Sequence, residues 1–220
     1  EKTEAFAAEI YRLAAREPHC LNGGATDDDF SFSLSGTGRF RVNLFRQRGS
    51  IAAVVRVIRF GLPTAEEAHI PPEVMRAAQM KKGIVLVTGS AGSGKSTTLA
   101  CIINEINRTR AGHILTLEDP VEYIHRHDKC IVSQREIGCD CPSYVAALRS
   151  ALRESPDVIL LGEMRDKETM EVAMTAAETG QLLLSSPHTT GAANTIDRII
   201  DAFPPNQQAQ IRLQLSMVLQ

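Results

Sequence analysis

The chain has 220 residues, 43% of them hydrophobic and 23% charged, with a formal net charge of −2. That length suits one large domain or two small ones, and the apolar content can bury a core. No apolar run reaches membrane-spanning length, there is no secretory leader, and the charge balance gives no global pull toward nucleic acid or anionic lipid. Cys20, Cys101, Cys130, Cys139 and Cys141 are odd in number in a chain that reads as intracellular, so free thiols are expected.

The first sixty residues differ in pattern from the rest. Residues 3–16 are expected as a helix with Phe6, Ile10 and Leu13 on one face. Three strand-like runs follow. Phe30, Phe32 and Leu34 alternate, as do Phe40, Val42 and Leu44, and residues 51–58 form the third. Ser35-Gly36-Thr37-Gly38 is a hairpin signal between the first two. The expectation is a small antiparallel α+β domain over residues 1–60, truncated at its start because it opens on a helix with no preceding strand. Between Arg39 and Arg59 there are six arginines and no acid. A solvated sheet face is the plain reading; the sharper one is that some of these arginines meet phosphate, from the same chain or a neighbouring subunit. Residues 61–72, with Pro63, Pro71 and Pro72, read as a linker.

From about residue 73 strands alternate with helices. Residues 84–88 read as a short buried strand, and residues 95–108 as a helix with Leu99, Ile102, Ile103 and Ile106 at i, i+3, i+4 and i+7. Between them lies Gly89-Ser90-Ala91-Gly92-Ser93-Gly94-Lys95-Ser96-Thr97, which fits the phosphate-binding loop G-x-x-x-x-G-K-[ST]. Strand, glycine loop and helix are the context that separates this motif from an ordinary glycine-rich turn. Glycines let backbone N–H groups turn inward around a phosphate, and the helix N-terminus adds partial positive charge. Lys95 is expected to reach the β- and γ-phosphates, and the Ser96 hydroxyl to ligate Mg²⁺. After Gly112, residues 113–117 read as a strand, 144–154 as a helix and 157–161 as a buried strand. Asp166 can cap a helix carrying Met170, Ala173, Met174 and Ala177, ended by Gly180. Residues 182–185 form another strand. Ile196, Ile199, Ile200 and Phe203 mark the next helix, stopped by Pro204-Pro205. This alternation implies a parallel sheet with helices on both faces, and ligands beyond the C-terminal strand ends.

ATP hydrolysis needs Mg²⁺ and a carboxylate that orients or deprotonates water. Acids at the ends of strands flanking the loop's own strand are the candidates. One set is Glu118, Asp119 and Glu122; the other is Glu163, after Gly162. A usual Walker B strand ends in Asp then Glu, so Gly162 argues against direct metal binding there. Structural roles compete: Glu118 and Asp119 as turn formers, Glu163 as a partner of Arg165. His188 follows the next strand and could sense the γ-phosphate or relay state to a neighbour, although a lone loop histidine is more often structural. His125-x-His127 with Cys130 sketches a metal site, but ordinary loop residues are the commoner reading, and Cys139-x-Cys141 lacks zinc-knuckle spacing.

Together these residues resemble the secretion-superfamily ATPases, the hexameric motors of type II secretion and type IV pili. Residues 116–123 (TLEDPVEY) resemble that family's acidic box, and 160–166 (LLGEMRD) its atypical Walker B. Residues 176–190 resemble its histidine box. Residues 195–216 resemble the pilus-retraction, twitching-motility branch, and 39–49 the family's N-terminal PAS-like domain. The resemblance implies an α/β RecA-like P-loop ATPase core over residues 73–220 with a smaller N-terminal α+β (PAS-like) domain. It also implies ATP and Mg²⁺ as cofactors and a homohexamer powering pilus retraction. Such a protein is cytoplasmic, peripheral to the inner face of the cytoplasmic membrane, engages an inner-membrane platform protein and binds no nucleic acid.

By position, Glu122 matches the acidic-box glutamate assigned to catalysis, Glu163 the Walker B glutamate and His188 the second histidine of the histidine box. Arg41 and Arg56 match arginines that approach nucleotide at the subunit interface. Gln181 stands where the first histidine is usual, Pro187 where leucine is usual, and 138–142 replaces a more polar loop. The chain starts after the family's first strands and stops before its C-terminal segment, so a fragment or a divergent member is expected. Other readings are a related secretion or pilus-assembly ATPase, a nucleic-acid motor on the same core, and a nucleotide-binding regulator without turnover. Near-neutral charge and scarce aromatics weigh against the nucleic-acid motor.

Overall fold

In the computed structural model, which describes residues 2–35, 37–58 and 61–220, the chain opens with helix α1, Lys2–Leu13. Its inward face is Ala7, Ile10 and Tyr11, all buried, whereas Phe6 is 58% exposed and Leu13 37% exposed. The expected stripe of Phe6, Ile10 and Leu13 is therefore corrected. Both stripes share Ile10 and helical spacing, and burial follows the one with the small Ala7 and a Tyr11 hydroxyl that donates to Asp28 Oδ2 at 3.0 Å. Arg16 completes that buried carboxylate's partners at 2.8 Å.

Strands β1 (Asp27–Leu34), β2 (Gly38–Gln47) and β3 (Ser50–Ile58) form an antiparallel sheet in the order β1-β2-β3. Phe30 lies opposite Val42, and alternate residues Val42 and Leu44 are buried with Ile51. Gly36 of the expected hairpin and Arg59 lie outside the described residues. The chain divides into two units, Glu1–Gly61 and Leu62–Gln220. Residues 62–71 carry turns only, one closed by the Thr64 N–H on Glu67 Oε2 at 2.8 Å.

The second unit begins with the short helix α2 (Pro72–Met75) and a 3₁₀ turn, Arg76–Gln79. Strands β4 (Gly83–Leu86), β5 (Gly112–Glu118), β6 (Cys130–Glu136), β7 (Val158–Leu161) and β8 (Leu182–Ser185) form a parallel sheet in the order β4-β8-β7-β5-β6. The period-2 alternation sorts their residues to two faces. Leu115, Leu117, Ile159, Leu161 and Leu183 pack with residues of α4 (Tyr144–Ala151), α5 (Lys167–Glu178), α6 (Ala192–Asp201) and α7 (Pro205–Val218). Ile114, Val158, Leu160, Leu182 and Leu184 pack with Leu99, Ile102, Ile103 and Ile106 of α3 (Lys95–Thr109). Asp166 caps α5, its Oδ1 accepting from the Thr169 N–H at 2.9 Å.

Strand order corrects one expectation. Neither β5 nor β7 flanks the P-loop strand β4: β8 lies between β4 and β7. Both acidic strand ends therefore stand on the far side of the strand that leads to His188. Strand β6 and helix α7 were not foreseen. The first is an edge strand whose Ile131 is 65% exposed, and the second is rich in polar residues.

Candidate nucleotide site

The loop from Gly89 to Gly94 joins β4 to α3 at the carboxyl edge of the sheet. Gly94, at φ 91°, is the N-cap of α3, in the left-handed region that glycine enters at least cost. A Cβ on Gly89 would lie 2.6 Å from Ser93 Oγ, so only glycine closes the turn without displacement. Lys95 is 7% exposed. Its ammonium donates to the Gly89 carbonyl at 3.0 Å and the Ser90 carbonyl at 2.9 Å. The charge is thus held inside the loop, over the position a phosphate would take at a helix N-terminus. Ser96 and Thr97 follow in the first turn of α3, where Ser90, Ala91, Gly92 and Ser93 have already wrapped the chain around that space. The Thr97 and Tyr123 hydroxyls are 2.8 Å apart and hydrogen-bonded.

Tyr123 belongs to the acidic loop that leaves β5. Glu118, the last residue of β5, accepts from Thr116 Oγ1 at 2.7 Å, from Gln134 Nε2 at 3.3 Å and from the Glu122 N–H at 3.4 Å. Burial pushes its carboxyl above the ordinary range against those hydrogen bonds, so it organises the loop and is poorly suited to carry a free negative charge. The Glu122 side chain is exposed. Strand β6 holds the loop from the other side. Gln134 Nε2 donates to the Tyr123 carbonyl at 2.8 Å, Gln134 Oε1 accepts from His125 N–H at 2.8 Å, and Glu136 Oε2 accepts from Val121 N–H at 3.0 Å. Gln134 and Glu136 escaped sequence reasoning because their strand did; the apolar pair Ile131-Val132 was the available signal.

At the end of β7, Glu163 meets a guanidinium and an imidazole. Its Oε2 is 2.6 Å from Arg165 Nε, and its Oε1 is 3.2 Å from His188 Nε2. The structural alternative and the functional grouping are therefore both present: the carboxylate pairs with Arg165 and also with the histidine from beyond β8. A cavity of about 410 Å³ opens beside this triad, lined by Glu163, Arg165, His188, Thr189 and Arg198 above Met170, Pro187 and Ile199. No residue of the glycine loop lines it. The structure thus brings Glu163 and His188 together and joins the P-loop helix to the acidic loop through Thr97. It shows no hydrogen bond from the Glu122 carboxylate to either.

Arg41 and Arg56 lie directly opposite each other on β2 and β3. The expectation of arginines without a counter-acid is corrected for Arg41, because the sheet brings Asp29 across from β1 to within 3.0 Å. Arg56 is exposed. Gln181 accepts from Thr179 Oγ1 at 2.8 Å, just before β8.

Among the described residues no group of three His, Cys, Asp or Glu side chains could hold a metal ion. His127 Nδ1 accepts from the Val132 N–H at 3.0 Å, and the Cys130 thiol points to the Arg110 carbonyl at 3.1 Å. Burial lowers His125 to about 4 from 6.5. The folded value lies below the unfolded one, so the unfolded chain binds more protons between those pH values. Stability contributed by the neutral ring is complete above about pH 6.5 and is lost as pH falls toward 4. His125→Gln should flatten that part of the pH–stability curve in urea titrations. A slope equal to the parent's would show that the ring titrates normally.

The donor set fits magnesium nucleotide rather than a closed metal cage. Mg²⁺ is commonly held by few protein oxygens together with phosphates, and the Ser96 hydroxyl is an oxygen of the kind that could serve there. A five-stranded parallel sheet, a glycine loop feeding a helix N-terminus, and acids at neighbouring strand ends define a P-loop nucleotide-binding α/β protein. The chain belongs to the family described as type II/IV secretion system protein, which it matches over residues 45–220. It is 50% identical over 194 residues to the type IV pilus retraction ATPase PilT of Pseudomonas aeruginosa, covering 88% of this chain and 56% of that protein. It is 52% identical over 188 residues to a twitching motility protein of Neisseria gonorrhoeae, covering 86% of this chain and 50% of that one. The chain therefore spans about half the length of these curated relatives. The crystal structure of the pilus retraction motor PilT with bound ADP superposes with a TM-score of 0.92 at 49% identity, covering 99% of this chain and 63% of that one. The Legionella pneumophila ATPase DotB superposes with a TM-score of 0.83 at 31% identity, covering 96% of this chain and 60% of that one.

Proposed function

We propose that this chain is the nucleotide-hydrolysing part of a ring-shaped motor that converts ATP turnover into type IV pilus retraction. The observation that carries the reading is the Lys95 ammonium held inside the glycine loop at the head of α3. An incoming phosphate replaces two neutral carbonyls as its partner, which is the stronger, charge-assisted interaction. The backbone from Gly89 to Thr97 binds the phosphate chain. When bound, Mg²⁺ on Ser96 would neutralise charge developing on the phosphates. Glu122, exposed and pinned through its neighbours, polarises the attacking water. Glu163 and His188 act as a pair that answers to the γ-phosphate.

The γ-phosphate also needs positive charge beyond Lys95, and Arg41 and Arg56 of the PAS-like N-terminal unit supply it in the assembled ring. Heterologous contacts that close on themselves give such a ring, and a homohexamer is the assembly proposed. No helix among the described residues is long and apolar enough to cross a membrane. On the likeness to pilus-retraction ATPases, the motor is proposed to be cytoplasmic, bound to the membrane's inner face through a pilus platform protein.

The test uses full-length protein and a strain carrying a single copy of its gene. Mass measurement with an ATP analogue should give six subunits, and the strain with Glu163→Gln should make pili but fail to twitch. Monomers only, at all micromolar concentrations, would remove the ring. Normal twitching in that strain would remove the retraction role.

A further inference from the structure

The end of β7 has no room for a side chain. A Cβ on Gly162 would stand 2.9 Å from the Tyr144 hydroxyl, 3.2 Å from the Leu117 carbonyl oxygen and 3.5 Å from Glu118 Cα. Tyr144, the first residue of α4, therefore reaches into the notch between the ends of β5 and β7, and its oxygen fills the space that a side chain at position 162 would take. That oxygen is buried and has no hydrogen-bond partner among the described residues. A buried hydroxyl left unpaired is costly, and phenylalanine would place the same ring there without that cost, leaving the notch itself empty. Nothing in the resting fold uses the O–H group.

Its surroundings are acidic. Burial raises the Tyr144 pKa far above the ordinary phenol value, and the charges of Glu163, Asp119 and Glu118 raise it further, so the group remains a neutral donor facing acceptors. Of these carboxylates Glu163 adjoins Gly162 directly, and it is turned away onto Arg165 and His188. Arg165 holds both carboxylate oxygens, Nε on Oε2 at 2.6 Å and Nη2 on Oε1 at 2.8 Å, but it is 70% exposed, so water can take over as its partner. An idle donor thus stands beside a carboxylate whose main present partner is open to solvent.

We propose that Tyr144 is a positioning residue for hydrolysis: its hydroxyl occupies the volume left by Gly162 and donates a hydrogen bond to Glu163 when that carboxylate leaves Arg165 and His188. The inference rests on the hydrolase reading above. It gives the glycine of this strand end a reason, because any side chain there would displace the donor. It also gives Glu163 two discrete positions, an outer one on Arg165 and His188 and an inner one on the Tyr144 hydroxyl. The inner position returns the carboxylate to the strand end, beside the acidic loop.

The experiment is Tyr144→Phe in the full-length protein. Without nucleotide, its melting temperature should equal the parent's or exceed it by about 1–3 °C, since an unpaired oxygen is removed. The kcat should fall about tenfold with KM for ATP within about twofold, as expected for a contact made only after binding. The acidic limb of the pH–rate profile should move upward, because Glu163 loses a donor that favours its charged form. Unchanged kcat, or a nucleotide-free melting temperature several degrees below the parent's, would overturn the proposal. Gly162→Ala placed in both backgrounds tests the geometry without turnover: it should destabilise the parent more than the Tyr144→Phe protein. Equal losses would show that the hydroxyl does not fill the notch. A parent protein that never hydrolyses ATP would overturn the hydrolase reading and this one together. An active parent matched by an equally active Tyr144→Phe variant sinks only the role of the hydroxyl.

Discussion

Lys95→Ala should abolish turnover and weaken nucleotide binding by at least about a hundredfold, the largest effect expected of any single change in this chain. The reason is the burial of the ammonium. At 7% exposure Lys95 works where water cannot screen it, and its charge acts on phosphate at full strength. Its present partners are two backbone carbonyls, each of which loses a donor in the mutant. Some loss of stability is therefore expected as well, on the order of 1–3 kcal/mol. Calorimetric titration with ATP, alongside a denaturation curve, separates the two. Parental affinity in a folded Lys95→Ala protein would remove the glycine loop from the nucleotide site.

Glu163→Gln and Glu122→Gln should each leave ATP binding intact and slow hydrolysis at least about a hundredfold, the scale of a lost general base or water-orienting charge. The structure separates this outcome from a folding defect. The Glu163–Arg165 pair joins a 23% exposed carboxylate to a 70% exposed guanidinium through two hydrogen bonds, and the amide of Gln keeps an oxygen to accept one of them, so the expected loss of stability is on the order of 1 kcal/mol. Glu122 is exposed and only its backbone N–H is bonded, so its amide variant costs the fold still less. Single-turnover assays with labelled ATP check both. Turnover at the parental rate in both variants would show that these carboxylates serve structure alone.

Legibility in the sequence followed the range of the physics involved. The glycine loop and the buried face of α3 were readable because spacing within a dozen residues determines them. The cap by Asp166 was equally local. The inward face of α1 was misread because two stripes met the same periodicity, and only the sheet beneath decides between Phe6 and Tyr11. The neighbour of the P-loop strand could not be read, since β4 and β8 are distant in sequence and strand order is a matter of chain crossover. Strand β6 hid because its polar groups, the half-buried Gln134 and the buried Glu136, are satisfied by a loop that the same strand positions. The pairing of Arg41 with Asp29 needed the register of β1 on β2. The unpaired Tyr144 hydroxyl is a property of three segments at once, and no window of sequence contains it.

Tyr123 bears on how such a site can tell full from empty. Its carbonyl is fixed to the sheet through Gln134, while its ring oxygen is tied to Thr97 in the first turn of the phosphate helix. One residue therefore has its backbone on the sheet and its side chain on the helix that follows the glycine loop. Glu122 is its immediate neighbour, so any rotation of that helix turn is delivered to the carboxylate through a single rigid ring. The acidic loop is thereby joined to the helix turn proposed to hold the phosphate, without itself having to reach a nucleotide.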